Sequence, residues 1–368
     1  MVSGSTIKSV YAREVFSERG HPGIETTVMT EDGASGVALV TAGVSIGKHE
    51  AQFIYDGGER WGGRGVLKAV ENVNKIIALR LVGMDATNQR AIDENMIRLD
   101  GTADKSKLGG NATASVSAAV LKAAANSLEI PLYQHIGGVN ACILPVPGVG
   151  AVIGSDRYNG GKSSGGKPSY SFLCYGFKNF AEASYACWEV KRDFDRVLQK
   201  RYGITSLRPQ WFVPIPPSVV QHDRELWESM TEAIENVGYK ERVGIQVDIA
   251  ACTYYEKEKN KFVGLFSKED KTKEDLIELY KETVATYPFI VIEDPLDQDD
   301  FEGHAVLARE LGIEIVGDDL FTTNIARVRK GIELKACNAV LLKVNQIGTI
   351  SEALDMCHLA FTKGYGVM

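Results

Sequence analysis

The chain has 368 residues, of which 44% are hydrophobic and 24% are charged, and its formal net charge is −7. This length is enough for two domains with a sizeable core, and the composition is ordinary for a globular protein. An acidic chain lacks the basic face that general binding to nucleic acid or to an anionic membrane requires, so we expect neither partner. No uncharged apolar run approaches a membrane span, and residues 1–30 show no secretory signal pattern. Together with six scattered cysteines, these features predict a cytoplasmic protein with reduced thiols.

The first part of the chain, residues 1–138, is predicted to form an α+β domain. Residues 10–40 have turn sequences at 21–23 and 32–33 and predict strands connected by hairpins. Helical patterns follow at residues 65–83 and 112–130. Strands that come first and helices that come afterwards are typical of the α+β class.

From residue 139 to residue 368, strands and helices are predicted to alternate, which favours a (β/α)8-type barrel. A segment with two prolines, residues 143–153, predicts an edge or entrance strand. No G-x-G-x-x-G sequence follows the first strand, which argues against an open doubly wound sheet. Later helical patterns cover residues 180–203, 225–239, 273–288, 302–312, 324–336 and 349–364. GYGVM, at the end, has the composition of another barrel strand, so we expect this barrel to be incomplete and at least one further strand–helix unit to follow Met368.

Four apolar runs each end on an ionisable residue. The runs GIQVD, FIVIE, EIVGD and AVLLK end at Asp248, Glu293, Asp318 and Lys343. A charge at the end of a buried strand is costly without a partner, and the carboxyl ends of barrel strands are where such folds place their chemistry. Three carboxylates at one edge repel each other unless a cation holds them, and oxygen ligands favour Mg²⁺. A lysine beside that ion is expected to have a lowered pKa and can act as a base.

Longer segments resemble the enolase family over nearly the whole chain. They are AREVFSERGHPGIE, GVSIGKHEA, LDGTADKSKLGGNA, IEDPLDQDD, GDDLFTTN and KACNAVLLKVNQIG. The resemblance implies an N-terminal capping domain before the barrel, two Mg²⁺ ions per active site, a phosphorylated carboxylate as substrate, and a homodimer or higher homo-oligomer. It also implies that Asp248, Glu293 and Asp318 hold the first Mg²⁺. By the same resemblance, Ser45 helps to hold the second ion, and Lys343 removes the proton α to the substrate carboxylate.

Three positions depart from the family pattern. Gln210 stands where the family has an acid that protonates the leaving hydroxide, and a glutamine cannot act as a general acid. Ser171 aligns with a second acid, and Ser163 aligns with a histidine of a glycine-rich loop. All three residues are therefore candidates for an altered active site, with Gln210 at the catalytic position and the two serines facing substrate.

The same loops gain positive charge. Lys162, Lys167 and Arg208 lie in them, and we expect all three to face substrate; His49 is a further candidate for a substrate contact. Changes in this direction favour a substrate more anionic than 2-phosphoglycerate, or a reaction that delivers no proton to a departing hydroxide.

Three functions are compatible with these residues. The usual reaction of the family is Mg²⁺-dependent dehydration of 2-phosphoglycerate to phosphoenolpyruvate, with Lys343 as the base. If no other residue replaces the general acid that Gln210 cannot supply, this reaction should be slowed roughly 10²–10⁴-fold. The first alternative is an enzyme of phosphonate biosynthesis similar to carboxyphosphonoenolpyruvate synthase, which acts on an enolpyruvyl compound and a more anionic substrate. The second is a catalytically inactive binding protein on the enolase fold, although an intact cluster of costly carboxylates argues against it.

Overall fold

The N-terminal part of the chain is built on a three-stranded antiparallel sheet. The computed structural model describes residues 4–43, 46–154, 156–205 and 211–368. The strands are β1 (Ile7–Phe16), β2 (Pro22–Thr30) and β3 (Ser35–Val40), in the order β1-β2-β3. Every even-numbered residue of β2 is buried, as expected for a strand with one face on a core. The predicted strands connected by hairpins are thus confirmed.

Helices cover one face of this sheet. They are α1 (Leu67–Asn72), α2 (Ala78–Leu81), α3 (Gln89–Asp100), α4 (Gly110–Ser127) and α5 (Leu132–Gly137), with a π-helical turn at Val73–Ile77 and 3₁₀ turns at Arg60–Gly63 and Gly138–Asn140. The backbone of α4 lies so close to β3 that a Cβ atom on Gly36 would come within 2.2 Å of the carbonyl oxygen of Ala119. Only glycine fits that position, and the close packing joins helix and sheet in one core.

A second sheet of eight strands forms the larger part of the molecule. Its strands are β4 (Gly148–Ile153), β5 (Ser169–Cys174), β6 (Val213–Pro214), β7 (Val243–Asp248), β10 (Phe289–Glu293), β11 (Glu314–Gly317), β12 (Ala339–Val340) and β13 (Gly366–Val367); β8 (Tyr255–Glu256) and β9 (Lys261–Phe262) form a separate small hairpin. The order across the sheet is β13-β12-β11-β10-β7-β5-β4-β6. Neighbours from β7 to β13 run parallel, and no hydrogen-bonded pairing joins β13 to β6 among the described residues.

Helices surround this sheet and bury a large apolar core against it. They are α6 (Phe180–Tyr202), α7 (Arg224–Asn236), α8 (Lys273–Thr286), α9 (Phe301–Glu310), α10 (Ile325–Leu334), α11 (Val344–Ile347) and α12 (Ile350–Thr362), with a 3₁₀ turn at Ala251–Thr253. All of the helical patterns predicted after residue 139 are confirmed, whereas α3, α5 and α11 were not predicted. In the described part of the chain, no helix combines the length and the apolar character needed to cross a membrane.

The start of the second sheet departs from the predicted alternation of strands and helices. β5 follows β4 directly and runs antiparallel both to β4 and to β7. The physical reason is the connection, because parallel neighbours need a crossover, usually a helix, and the described residues between β4 and β5 form no helix. Of the predicted edge or entrance position of β4, the edge is wrong, since β6 lies outside β4, but β4 is the strand by which the chain enters this sheet. As a consequence β5 begins at the edge where β7 ends, with Ser169 paired to Asp248.

The two parts of the chain are joined by hydrogen bonds close to that edge. The backbone N–H of Ala51 donates to the carbonyl oxygen of Gln346 at 2.7 Å. Farther out, the carboxylate of Asp93 accepts from the N–H of Ser351 at 2.9 Å, at the first turn of α12. The N-terminal part therefore reaches the carboxyl ends of the barrel strands and helps to enclose them.

Candidate active site

Five ionisable side chains lie in a row at the carboxyl ends of β12, β11, β10 and β7 and the adjoining start of β5, an edge that we call the mouth. In strand order they are Lys343, Asp318, Glu293, Asp248 and Lys167. Glu293 pairs in register with Asp248, and Asp318 directly follows β11. The structure thus brings together the three carboxylates and the lysine that end the four apolar runs.

The carboxylate of Asp318 holds Lys343. The Nζ atom of Lys343 donates to Oδ2 of Asp318 at 2.5 Å, while Oδ1 accepts from Nε2 of Gln346 at 2.7 Å. Burial alone would lower the pKa of Lys343, but the charges of Asp318 and Glu293 outweigh burial and raise that pKa. The lowered pKa that we expected beside a metal ion is therefore not what the protein residues alone produce, because neighbouring carboxylates stabilise the ammonium form.

The carboxylates of the mouth are crowded. One oxygen each of Glu293, Asp294 and Asp318 lies within 4.8 Å of the others. Burial, reinforced by the charge of Asp318, raises the pKa of Glu293 to about 7. The adjacent Asp319 is buried, and its Oδ1 atom has no hydrogen-bond partner within the described ranges. This donor set fits a divalent cation, which would offset the repulsion and satisfy oxygen atoms that burial removes from water.

Asp294 has a different role from its neighbours. Its carboxylate accepts the backbone N–H groups of Asp318 at 3.0 Å, Asp319 at 2.6 Å and Leu320 at 3.4 Å. These bonds fix the turn after β11 and so position Asp318. Because they occupy its oxygens, Asp294 is less available as a metal ligand than Asp248, which stands next to Glu293 in the sheet.

The glycine-rich loop brings one of its two lysines to the mouth. Lys167 forms an ion pair with Asp248, and their side chains are only 16% and 13% exposed. Burial lowers the pKa of Lys167, and this effect outweighs the negative charge of Glu293, which by itself would raise the pKa. Lys162 and Ser163 are exposed, and in the described structure neither contacts a carboxylate of the mouth. Only Lys167, of these three candidates, therefore reaches the site.

The remaining candidates lie elsewhere or cannot be placed. Ser171 pairs with Gln246 inside the sheet, two residues away from Ser169 at the mouth. His49 lies with its Nε2 atom 2.8 Å from Oδ1 of Asp299, a residue outside the row. The other three, Ser45, Arg208 and Gln210, lie outside the described residues.

Sequence patterns do not identify two further residues at the mouth, Glu50 and Gln346. Nε2 of Gln346 bridges Asp318 and Oε1 of Glu50, the latter at 3.3 Å, and Glu50 also accepts the N–H of Gly47 at 2.8 Å. Burial raises the pKa of Glu50 to about 7. The hydrogen bond from Gly47 acts in the opposite direction, whereas the charge of Asp318 raises this pKa further. Both residues lie in segments that carry the resemblance, but nothing local in those segments predicts their contact.

Comparison with known proteins agrees with this architecture. The family model described as "Enolase, N-terminal domain" matches residues 7–136, and the one described as "Enolase, C-terminal TIM barrel domain" matches residues 141–368. Proteins named enolase from Methanocaldococcus jannaschii, Thermococcus kodakarensis and Pyrococcus furiosus are each 44% identical to the chain. Each of these alignments covers 98% of the chain and 84% of the relative.

The two alternative functions gain nothing from these relatives, since all three carry the name enolase. The phosphonate alternative depended on several added cations, and among the described candidates only Lys167 reaches a mouth carboxylate. With both family models matched in sequence over nearly its whole length, the chain belongs to the enolase family of lyases.

Proposed function

We propose that the protein is a Mg²⁺-dependent hydro-lyase that removes the proton α to the carboxylate of a phosphorylated carboxylic acid. Its default substrate is 2-phosphoglycerate, and the product is phosphoenolpyruvate. The observation that carries this proposal is the placement of Lys343 against Asp318, at the end of a row of buried carboxylates. The family membership of the chain supports the same reaction class.

The metal site of this proposal uses residues of three adjacent strands. Asp248, Glu293 and Asp318 would hold the first Mg²⁺, and Ser45 would help to hold a second. Mg²⁺, when bound, would supply the positive charge that the substrate carboxylate needs once its α-proton has gone. The Oδ1 atom of Asp319 is buried without a hydrogen-bond partner in the described ranges, and the pKa of Glu293 is raised. Both observations support a cation at this edge.

Lys343 acts as the base in this scheme. Its backbone N–H donates to Oγ1 of Thr323 at 2.9 Å, which fixes the start of its side chain. The side chain is 35% exposed, so a substrate at the mouth can reach its Nζ atom. A base must be positioned before its pKa matters, and this lysine is anchored at both ends, by Thr323 and by Asp318.

The proton that the leaving hydroxide needs must come from elsewhere. Gln210 cannot donate it, because an amide has no acidic proton near neutral pH. A site without any general acid would eliminate water roughly 10²–10⁴-fold more slowly than one that has such an acid. Turnover close to that of the relatives would therefore mean that another residue supplies the proton.

The test uses the full chain with 2-phosphoglycerate and Mg²⁺, followed by the absorbance of the enol product. We expect product formation that stops when EDTA removes the metal ion and that is lost in Asp318→Asn. Glu278→Gln is a matched control, because Glu278 is exposed on α8, away from the mouth. Product formation that is independent of Mg²⁺, or no formation at any concentration of Mg²⁺, would contradict the proposal.

Three broader expectations belong to the same proposal. The family resemblance supports a homodimer and a cytoplasmic location, and the acidic charge of the chain supports a small-molecule substrate over nucleic acid. The division into a capping domain, 1–138, and a barrel domain, 139–368, is supported by the two separate apolar cores.

A further inference from the structure

Two buried cysteines are in contact at the end of the barrel that lies opposite the mouth. Cys174 ends β5 and Cys187 lies in α6, and their Sγ atoms are 3.2 Å apart. We propose that these two thiols form a modification site, at which hydrogen peroxide oxidises them reversibly to a disulfide bond. The site is separate from the proposed reaction, because β5 reaches the mouth at its other end, about 17 Å away along the strand.

The contact distinguishes this pair from the other four cysteines. Within the described ranges, it is the one hydrogen bond that joins two thiols. In the same ranges Cys337 and Cys357 are buried with no thiol beside them, Cys142 is exposed, and the thiol of Cys252 contacts Asp319. An isolated thiol is oxidised by the addition of oxygen or by pairing with another molecule, whereas two thiols in contact can form an internal disulfide bond.

A single carbonyl group holds both residues in place. The backbone N–H of Cys174 donates to the carbonyl oxygen of Pro147 at 3.1 Å, and Sγ of Cys187 lies 3.6 Å from the same oxygen. Both side chains belong to the apolar core between the sheet and α6. Bonded sulfur atoms lie about 2.05 Å apart, so formation of the bond requires each sulfur to move by only about 0.6 Å.

A cavity gives a small oxidant access to the pair. The cavity has a volume of about 320 Å³, and its lining includes Cys174, Pro147, Ala183 and the exposed Cys142. Ala183 precedes Cys187 by one helical turn, so the two residues lie on the same face of α6. Cys174 is only 1% exposed and Cys187 only 7%. Such burial excludes bulky reagents such as peptide disulfides but admits hydrogen peroxide, which is little larger than water.

Cys187 is the thiol that reacts first. It is the more exposed of the two, and a thiolate at Cys187 can accept a hydrogen bond from Cys174, which lowers the pKa of Cys187. The same contact, together with burial, raises the pKa of Cys174. The thiolate is the nucleophilic form of cysteine, so the arrangement favours attack by Cys187 and leaves Cys174 as the resolving thiol.

The step balances with hydrogen peroxide as the only co-reactant. The thiolate of Cys187 attacks one peroxide oxygen, the O–O bond breaks, and the hydroxide that leaves takes up the proton that Cys187 released. The sulfur of Cys174 then attacks the sulfenic acid on Cys187, the S–O bond breaks, and the departing oxygen forms a second water with the thiol proton. Each sulfur loses one electron, and the peroxide gains both.

The test treats the full chain with hydrogen peroxide, blocks the remaining thiols with N-ethylmaleimide in denaturant and digests the protein with trypsin. Lys178 lies between the two cysteines, so trypsin separates them into two peptides unless a disulfide bond joins these peptides. By mass spectrometry we expect the joined peptides, at two hydrogen masses below their sum, and we expect them to separate with dithiothreitol. Cys174→Ser and Cys187→Ser should each abolish the joined species.

Cys357→Ser is the matched control, because Cys357 is also buried in this core but has no thiol partner in the described structure. It should form the joined peptides as the wild type does. The wild-type result stands even where a serine variant does not fold, because the joined peptides identify both cysteines directly. Labelling of both thiols after peroxide treatment, sulfinic acid at either without a link, or a link from Cys174 to Cys142 instead would overturn the inference.

Discussion

Lys343 and Asp318 share a hydrogen bond of 2.5 Å between Nζ and Oδ2 at the mouth of the barrel. In the proposed mechanism Asp318 would hold Mg²⁺ as well as Lys343. Sharing the charge of Asp318 with a cation would weaken its hold on Lys343 and would favour the neutral amine, which is the form that can accept a proton. This pair would then link metal binding to activation of the base.

Binding of Mg²⁺ should raise the melting temperature of the protein. A ligand at 100 times its dissociation constant stabilises the native state by about 2.7 kcal/mol, and each carboxylate that is lost weakens the site. We expect a clear upward shift for the wild type in thermal unfolding with Mg²⁺ against EDTA, and a much smaller shift for Asp318→Asn. The exposed-site variant Glu278→Gln should shift like the wild type, and equal shifts in all three proteins would rule out this metal site.

The stability of the metal-free protein should fall as pH rises through the window set by Glu50. Its pKa is raised from 4.5 to about 7 in the folded protein, so between these values the folded state binds a proton that the unfolded state has released. Ionisation of the buried Glu50 lowers the free energy of unfolding. This loss is absent below pH 4.5 and complete above pH 7, where a pKa shift of this size corresponds to about 3 kcal/mol.

Urea unfolding in EDTA from pH 4 to 8 measures this dependence. Glu50→Gln cannot ionise but keeps an oxygen for Gly47, so it should flatten the profile and be more stable than the wild type at pH 8. An unchanged slope in Glu50→Gln would show that other carboxylates of the mouth, such as Glu293, carry the dependence.

Loss of the ion pair behind the glycine-rich loop should be costly. Asp223→Asn leaves the buried guanidinium of Arg157 without its counter-charge, and breaking a buried pair typically costs about 3–5 kcal/mol. We expect a loss of this size in the free energy of unfolding by urea. Glu282→Gln, which breaks the exposed pair with Arg224, should change stability by less than about 1 kcal/mol. Similar losses in the two variants would mean that the buried pair does not anchor the loop.

The sequence predicts the mouth well where local patterns determine it. Each of Asp248, Glu293, Asp318 and Lys343 follows an apolar run, and buried parallel strands bring their carboxyl ends together. Strand periodicity alone therefore places these side chains at one edge, with no knowledge of their contacts. The family resemblance adds the roles of these residues but not their hydrogen bonds.

The contacts that the sequence does not predict depend on distant residues. Lys167 reaches Asp248 because Arg157 binds Asp223, which is 66 residues away along the chain, and because β5 runs antiparallel. Glu50 meets Gln346 across 296 residues. No periodicity or spacing in the sequence predicts contacts between such distant residues. The loop before β5 therefore looks flexible from its composition, although distant residues fix its ends.

In the proposed mechanism, Lys343 removes the α-proton at a site completed by Mg²⁺. The most direct measurement is the rate at which C2-deuterated 2-phosphoglycerate loses its label to solvent, followed by NMR in the wild type and in Lys343→Met. We predict exchange in the wild type and a loss of roughly 10²–10⁴-fold or more in Lys343→Met, which should still gain stability with Mg²⁺. Exchange at the wild-type rate in Lys343→Met would show that Lys343 is not the base.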